Sequence, residues 1–187
     1  MPIGQAKVGL LGNDIGKLEL IETIVVSSSS YADFTNLGSY NVHFMTFNNI
    51  DTSSTSGLNG VFARYFESGV LESGSVYYLA RKFGGASGAF NYTTSTSDSY
   101  VNLFSGSTAA GNNNGYCFFS CLTDSAKYSF NTMHMAGDLG TGSGFFMMYG
   151  GGVLPQTSAV DGIRISANTN FTDNFSGTIS LYGIKDS

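Results

Sequence analysis

Thirteen carboxylates, two histidines and two cysteines are the side chains here that could carry acid–base, nucleophilic or metal chemistry. A retaining glycosidase needs two carboxyl groups about 5 Å apart across a cleft. Glu19 and Glu22, in LELIETIVV, stand three residues apart, which on a strand sends them to opposite faces. His43 in YNVHFMTF and His134 in TMHMAGD have no nucleophile or acid beside them and read as satisfied sheet residues. Serine is abundant, yet no G-x-S-x-G elbow occurs. Cys117 and Cys121 in YCFFSCL sit four residues apart, about 13 Å along a strand, whereas a disulfide needs Cα atoms within about 7 Å. They read as free, strand-borne thiols. Zinc would need ligands beyond the two cysteines, and the histidines, His43 and His134, are each isolated in the sequence. Asp51, Asp98, Asp124, Asp138 and Asp161 lack the spacing of a calcium loop. Gly140, Gly142 and Gly144 in LGTGSGFF are not followed by the helix that phosphate binding uses. The expectation is a chain with no catalytic residue, no cofactor and no metal.

The elements that would position any site are strands. Only 11% of the 187 residues are charged, against about a quarter in an ordinary soluble domain. Glycine (25), phenylalanine (15) and tyrosine (11) are abundant and tryptophan is absent. That balance favours strands and tight turns over helices. Runs at 18–26, 40–50, 60–67, 74–82, 116–122, 127–135, 143–151, 160–167 and 176–184 read as strands, with AFNYTT and YVNLF as brief additional pairings. The run 60–67 and the run 74–82 form one hairpin candidate across SGVLES, and 116–122 with 127–135 a second. SSSSYADFTNLGS between the first two runs reads as loop. Ile163 and Ile165 alternate with Arg164 and Ser166, and Ile179, Leu181 and Gly183 with Thr178, Ser180 and Tyr182. This is the period of a sheet with one face on a core. FFMMY and YCFFSC are apolar on both faces, which calls for cover on both sides by a second sheet plus a neighbouring subunit or long loops. Eight or nine such strands predict an all-β, antiparallel, jelly-roll-like β-sandwich over 18–187. Residues 1–17 stand apart as a short arm whose Val8, Leu10 and Leu11 are candidate docking residues.

The eight basic residues are scattered and the net charge is −5, which argues against a nucleic-acid surface. MPIGQAKVGLLG lacks the long apolar core and cleavage pattern of a secretory leader, and no run reaches the about 20 apolar residues of a membrane span.

VDGIRISANTNFTDNFSGTISLYGI (160–184) resembles the C-terminal end of small β-rich virion proteins of tailed bacteriophages, in which a DGIRI strand and a GTxSLYGI strand bracket a Ser/Asn/Phe-rich loop. MPIGQAKVGLLG is similar to their short N-termini. The resemblance covers 160–184 firmly, the earlier strand order loosely and the loops not at all. It implies a virion structural or tail-fibre protein with a jelly-roll-like domain; with the low charge, the doubly apolar strands and the separate arm, the expectation is a trimeric subunit on the tail or capsid surface, as tail fibre, spike or decoration, beside other virion proteins and assembled in the host cytoplasm.

Binding is the remaining chemistry. The segments SSSSYADF, NYTTSTSDSY and SGSTAAGNNNGY are rich in Ser, Asn, Thr and Tyr, residues that give contact area at low entropic cost. Tyr31, Tyr92, Tyr100 and Tyr116 are the candidate recognition residues, because aromatic faces suit sugar rings as well as protein; solvated loops are the plain alternative. Two expectations follow besides the structural one: a receptor-binding module for host-surface polysaccharide, and, with least support, a depolymerase.

Overall fold

The computed structural model describes residues 16–52, 60–86, 88, 90–105, 112–138, 144–167 and 173–185. Val8, Leu10 and Leu11 lie outside the described residues. Thirteen strands occur in the order β1 (Leu18–Ser29), β2 (Tyr31–Phe34), β3 (Val42–Thr52), β4 (Gly60–Glu67), β5 (Val70–Leu71), β6 (Tyr77–Gly85), β7 (Phe90–Asp98), β8 (Val101–Ser105), β9 (Asn113–Ser120), β10 (Ser129–Asp138), β11 (Phe145–Leu154), β12 (Val160–Ser166) and β13 (Phe175–Ile184). They make an all-β, antiparallel sandwich. The larger sheet runs β1-β13-β3-β9-β10-β11-β6-β7; the smaller runs β2-β12-β4, with β5 and β8 both on the far edge of β4.

The two strands of the 160–184 segment take interior places, one in each sheet. In β12, between β2 and β4, Ile163 and Ile165 are fully buried while Arg164 faces outward. In β13, between β1 and β3, Ile179 and Leu181 enter the core opposite Ile24 and Phe47 or Met45. Each layer buries one face on the other, so alternation along the strand becomes two-layer packing. Phe34, Met45, Phe47, Tyr65 and Phe119 fill the interior. Tyr77 ties the layers together: the Tyr65 amide on β4 donates to its hydroxyl at 3.0 Å, and that hydroxyl donates to the Glu72 carbonyl at 3.1 Å.

Several sequence expectations need correction. The hairpin expected between 60–67 and 74–82 does not form. Ser68 (φ 53°) and Gly69 (φ 74°) turn the chain so that Val70–Leu71 pair back on Phe66–Glu67, and β6 then joins the other sheet beside β11. Two successive positive φ values suit a tight hairpin whose twist matches the strands, which is why the turn closes sooner. The hairpin expected between 116–122 and 127–135 is present as β9–β10. SSSSYADF is not a loop: β1 runs to Ser29, and β2 restarts two residues later in the opposite sheet. Cys121 is not strand-borne, because the chain leaves β9 at Ser120 and turns through Cys121 at φ 62°. Both thiols are free, with Cys117 buried.

Glu19 and Glu22 end on the same face of the sheet. A β-bulge between Leu20 and Glu22 sets Glu19 opposite Gly183 and Glu22 opposite Leu181, and these two share one face of β13. Glu19 is already engaged. It accepts a 2.7 Å hydrogen bond from the Tyr40 hydroxyl and lies 3.6 Å from Lys185 Nζ, and these partners, Tyr40 first, hold its carboxyl below the usual range. The Tyr40 ring in turn lies on Gly183, where a Cβ would come within 2.3 Å of it, and meets His43 edge-on at 6.0 Å. Gly177 (φ 143°) absorbs a second bulge, beside Ile50.

Two outcomes follow. Gly183→Ala must displace an anchored ring, so urea unfolding should show a loss of about 1–3 kcal/mol; an unchanged midpoint would contradict the packing. His43 is fully buried and donates from Nε2 to the Leu37 carbonyl at 2.7 Å. Burial lowers its pKa from the ordinary 6.5, partly offset by that carbonyl. The folded state therefore binds the proton more weakly than the unfolded chain, and stability falls as pH drops below about 6.5, by at most about 1.4 kcal/mol per pH unit. Unfolding from about pH 7.5 to 5 should show this slope in the parent and a shallower one in His43→Gln.

Candidate functional site

The outward face of the larger sheet concentrates aromatic side chains. Strand register brings residues far apart in sequence into rows that run across the strands. One row reads Thr46, Tyr116, His134, Tyr149, Lys82 and Tyr92 along β3, β9, β10, β11, β6 and β7. The next, one pleat away, reads Phe44, Phe118, Thr132, Gly151, Ala80 and Thr94. The third reads Val42, Ser120, Phe130, Val153 and Tyr78. Tyr78, Tyr92, Tyr116, Phe130 and Tyr149 are each 39–76% exposed. Toward β3 and β9 the rings touch: Phe44 and Phe118 have centroids 4.8 Å apart, and Tyr116 stands 5.9 Å from Phe118. The Tyr116 hydroxyl lies 3.3 Å from His134 Nδ1.

Toward β7 the middle row shrinks to Thr132, Gly151, Ala80 and Thr94, and the surface becomes a groove of about 500 Å³. Gly151, Ala80 and Thr94 line its floor; Phe130, Val153 and Tyr78 line one side. On the other side the adjacent row is Tyr149, Lys82 and Tyr92. Lys82 is exposed, and no carboxylate pairs with it among the described residues. A separate hollow of about 540 Å³ lies at the far end of β10 and β11, among Asn112, Asn114, Asp138 and Phe145.

The four tyrosines singled out from sequence do not form one loop cluster. Tyr31 (β2), Tyr92 (β7) and Tyr116 (β9) sit on strands, because the Ser/Thr-rich segments around them extend and pair. Only Tyr100 lies in a turn. Tyr92 and Tyr116 share the outer row of the larger sheet, four strand spacings or about 19 Å apart. Tyr31 and Tyr100 belong to the smaller sheet, and both carry partners. The Arg164 guanidinium stacks 4.0 Å over the Tyr31 ring and 5.3 Å from Phe66, while its Nε and Nη2 each donate to Asp33 at 2.6 Å. That carboxylate raises the Arg164 pKa. Tyr100 packs edge-on against Phe62 at 4.6 Å beside Arg64, and burial raises its phenol pKa.

Sequence reasoning missed Tyr149, Lys82, Tyr78, Phe130 and the outward role of His134. Tyr149 had a signal in the two-sided apolar run FFMMY; Tyr78, Lys82, Phe130 and His134 lie outside the runs singled out in that way. Among the described residues, no three His, Cys, Asp or Glu come together as a metal-ligating group.

No protein-family model matches the chain, and no curated protein matches it. Two solved structures show a faint likeness. One is the CBM2 module of the evolved Dit of Lactobacillus casei BL23 phage J-1, with 10% identity, 92% of this chain and 82% of that one covered, and a TM-score of 0.25. The other is a fructofuranosidase variant from Schwanniomyces occidentalis complexed with fructosylnystose, with 5% identity, coverage of 89% and 34%, and a TM-score of 0.24. Similarity this distant carries no functional argument.

The Asp33–Arg164 pair predicts a measurable cost. Asp33→Ala leaves a largely buried guanidinium without its two charge-assisted bonds and should lose about 1–3 kcal/mol in urea unfolding. Stability equal to the parent would mean that Arg164 does not depend on that carboxylate.

Proposed function

We propose that this chain is a non-enzymatic structural subunit of a tailed-phage particle, self-associated as a trimer on the tail or capsid surface beside other virion proteins. The resemblance of 160–184 to phage virion proteins supports the location. The observation that carries self-association is the uncovered pair of edges on the larger sheet. Among the described residues β1 pairs only with β13, and β7 only with β6. An open edge is a template for another chain, and proteins that stay alone blunt it with Lys, Pro or a covering element. β7, FNYTTSTSD, carries no Lys or Pro, and its one charge is the terminal Asp98. β1 presents Leu18, Leu20 and Val25 to solvent. Symmetric neighbours would cover these features.

A second reading is favoured by the grooved aromatic face: the same subunit recognises host-surface polysaccharide. Exposed tyrosines interleaved with threonines on a rigid sheet offer stacking surfaces and hydroxyl groups together.

Light scattering on the purified chain at micromolar concentration tests the first reading, with three chains per particle expected. A monodisperse monomer would overturn it. Antibody labelling of intact particles would then separate tail from capsid.

A further inference from the structure

We infer that the groove across β10, β11, β6 and β7 is a binding site for one extended polysaccharide chain, lying perpendicular to the strands with an acidic substituent at Lys82. This deepens, and rests on, the polysaccharide-recognition reading above.

The shape comes first. The trough is floored by Gly151, Ala80 and Thr94 and walled by Phe130, Val153 and Tyr78, with Tyr149, Lys82 and Tyr92 as the row beyond. It crosses four strands, hence three spacings, about 14 Å in all. A pyranose in an extended chain advances by about one strand spacing of ~4.8 Å, so about three rings fit with one over each step of the sheet. The outer rows stand four residues apart along a strand, about 14 Å, which after the width of their own side chains leaves room for a chain one ring wide between them.

The chemistry comes second. A sugar ring has apolar C–H faces and a rim of hydroxyls. The outer rows supply aromatic surface for the faces, and Thr94, Thr132 and the tyrosine hydroxyls supply partners for the rim. Lys82 is the charged side chain of these rows, and it has no carboxylate partner. A cation exposed between Tyr149 and Tyr92 complements a uronate or sulfate ester on an otherwise uncharged polyol.

The rival occupants fit less well. Single-stranded nucleic acid also stacks on aromatic rows, but needs a groove of cations to track its phosphates, and Lys82 stands alone here. A protein partner would bury a broader patch, typically about 800 Å² on each side. The branched aliphatics lining the trough are Val153 and Leu79, and Leu79 is buried.

Affinity electrophoresis tests the site with two soluble polymers of the same extended linkage: polymannuronate, which is acidic, and hydroxyethylcellulose, which is neutral. A single-stranded DNA oligomer is run beside them. The intact chain should bind polymannuronate more tightly than hydroxyethylcellulose, and added salt should narrow the gap. Tyr149→Ala, and Ala80→Arg, which fills the exposed floor of the trough, should each weaken binding of the neutral hydroxyethylcellulose, to which an added cation contributes nothing, at least tenfold. Lys82→Ala should abolish the preference for the acidic polymer. Circular dichroism and unfolding midpoints like the parent's would show that these surface changes leave the fold intact. Should Tyr149→Ala or Ala80→Arg fail to fold, Tyr78→Ala on the opposite wall is the replacement. Binding that survives the Tyr149 and Ala80 changes overturns the groove while leaving polysaccharide recognition standing. Equal binding of both polymers by the intact chain overturns the assignment of Lys82. No binding to either polymer, or tighter binding to the DNA, overturns the site and the recognition reading together.

Discussion

The structure depends on pairing between segments 93 to 166 residues apart. β13 lies between β1 and β3, and β12 lies between β2 and β4, so the 160–184 segment supplies an interior strand to each layer. Closing loops of that length costs chain entropy that the local turns cannot recover, and the return comes only when both faces of the contact are buried. Ile163 and Ile165 from one layer and Ile179 and Leu181 from the other meet in the same core. Without β13, β1 would have no partner among the described strands, and β3 would become an edge.

The chain is also low in charge, with 11% of its residues charged. A sandwich of eight and five strands has two outer faces, and the three rows traced across the larger one are mostly aromatic, hydroxyl or small residues, with Lys82 their one lysine. On the smaller sheet the outward guanidinium groups are engaged: Arg164 lies between two rings and in the fork of Asp33, and Arg64 Nε donates to the Ser99 carbonyl at 2.7 Å. A guanidinium held in that way serves packing and is not free to recruit a ligand. The exposed rings lie on the larger sheet, where Lys82, the one cation of the grooved rows, has no carboxylate partner among the described residues.

Strands that alternate cleanly were legible from sequence. The run 60–67 matches β4, and the alternation of Ile179, Leu181 and Gly183 named the buried face of β13 correctly. β2 and β5 were not legible, since four and two residues carry little period, and their existence depends on Ile163–Ser166 and on Phe66–Glu67 as partners. The bulge that puts Glu19 and Glu22 on one side was hidden for a related reason: nothing in LELIE marks where the ladder slips. Legibility was poorest at the candidate site. Tyr116, His134, Tyr149, Lys82 and Tyr92 form a row only through four independent registers, and a one-residue slip in any of them would turn part of the row inward. Tyr92 and Tyr116 were noticed for their composition, yet what joins them lies in the strands between.

Native-state amide hydrogen exchange tests the central claim most directly. As an interior strand, β13 should open only with the whole molecule, so the amides of Ile179 to Tyr182 should exchange among the slowest and with the denaturant dependence of global unfolding. Fast, denaturant-independent exchange at those amides, while β9 and β10 stay protected, would mean that the segment frays as an ordinary terminus, and that the sandwich does not depend on it.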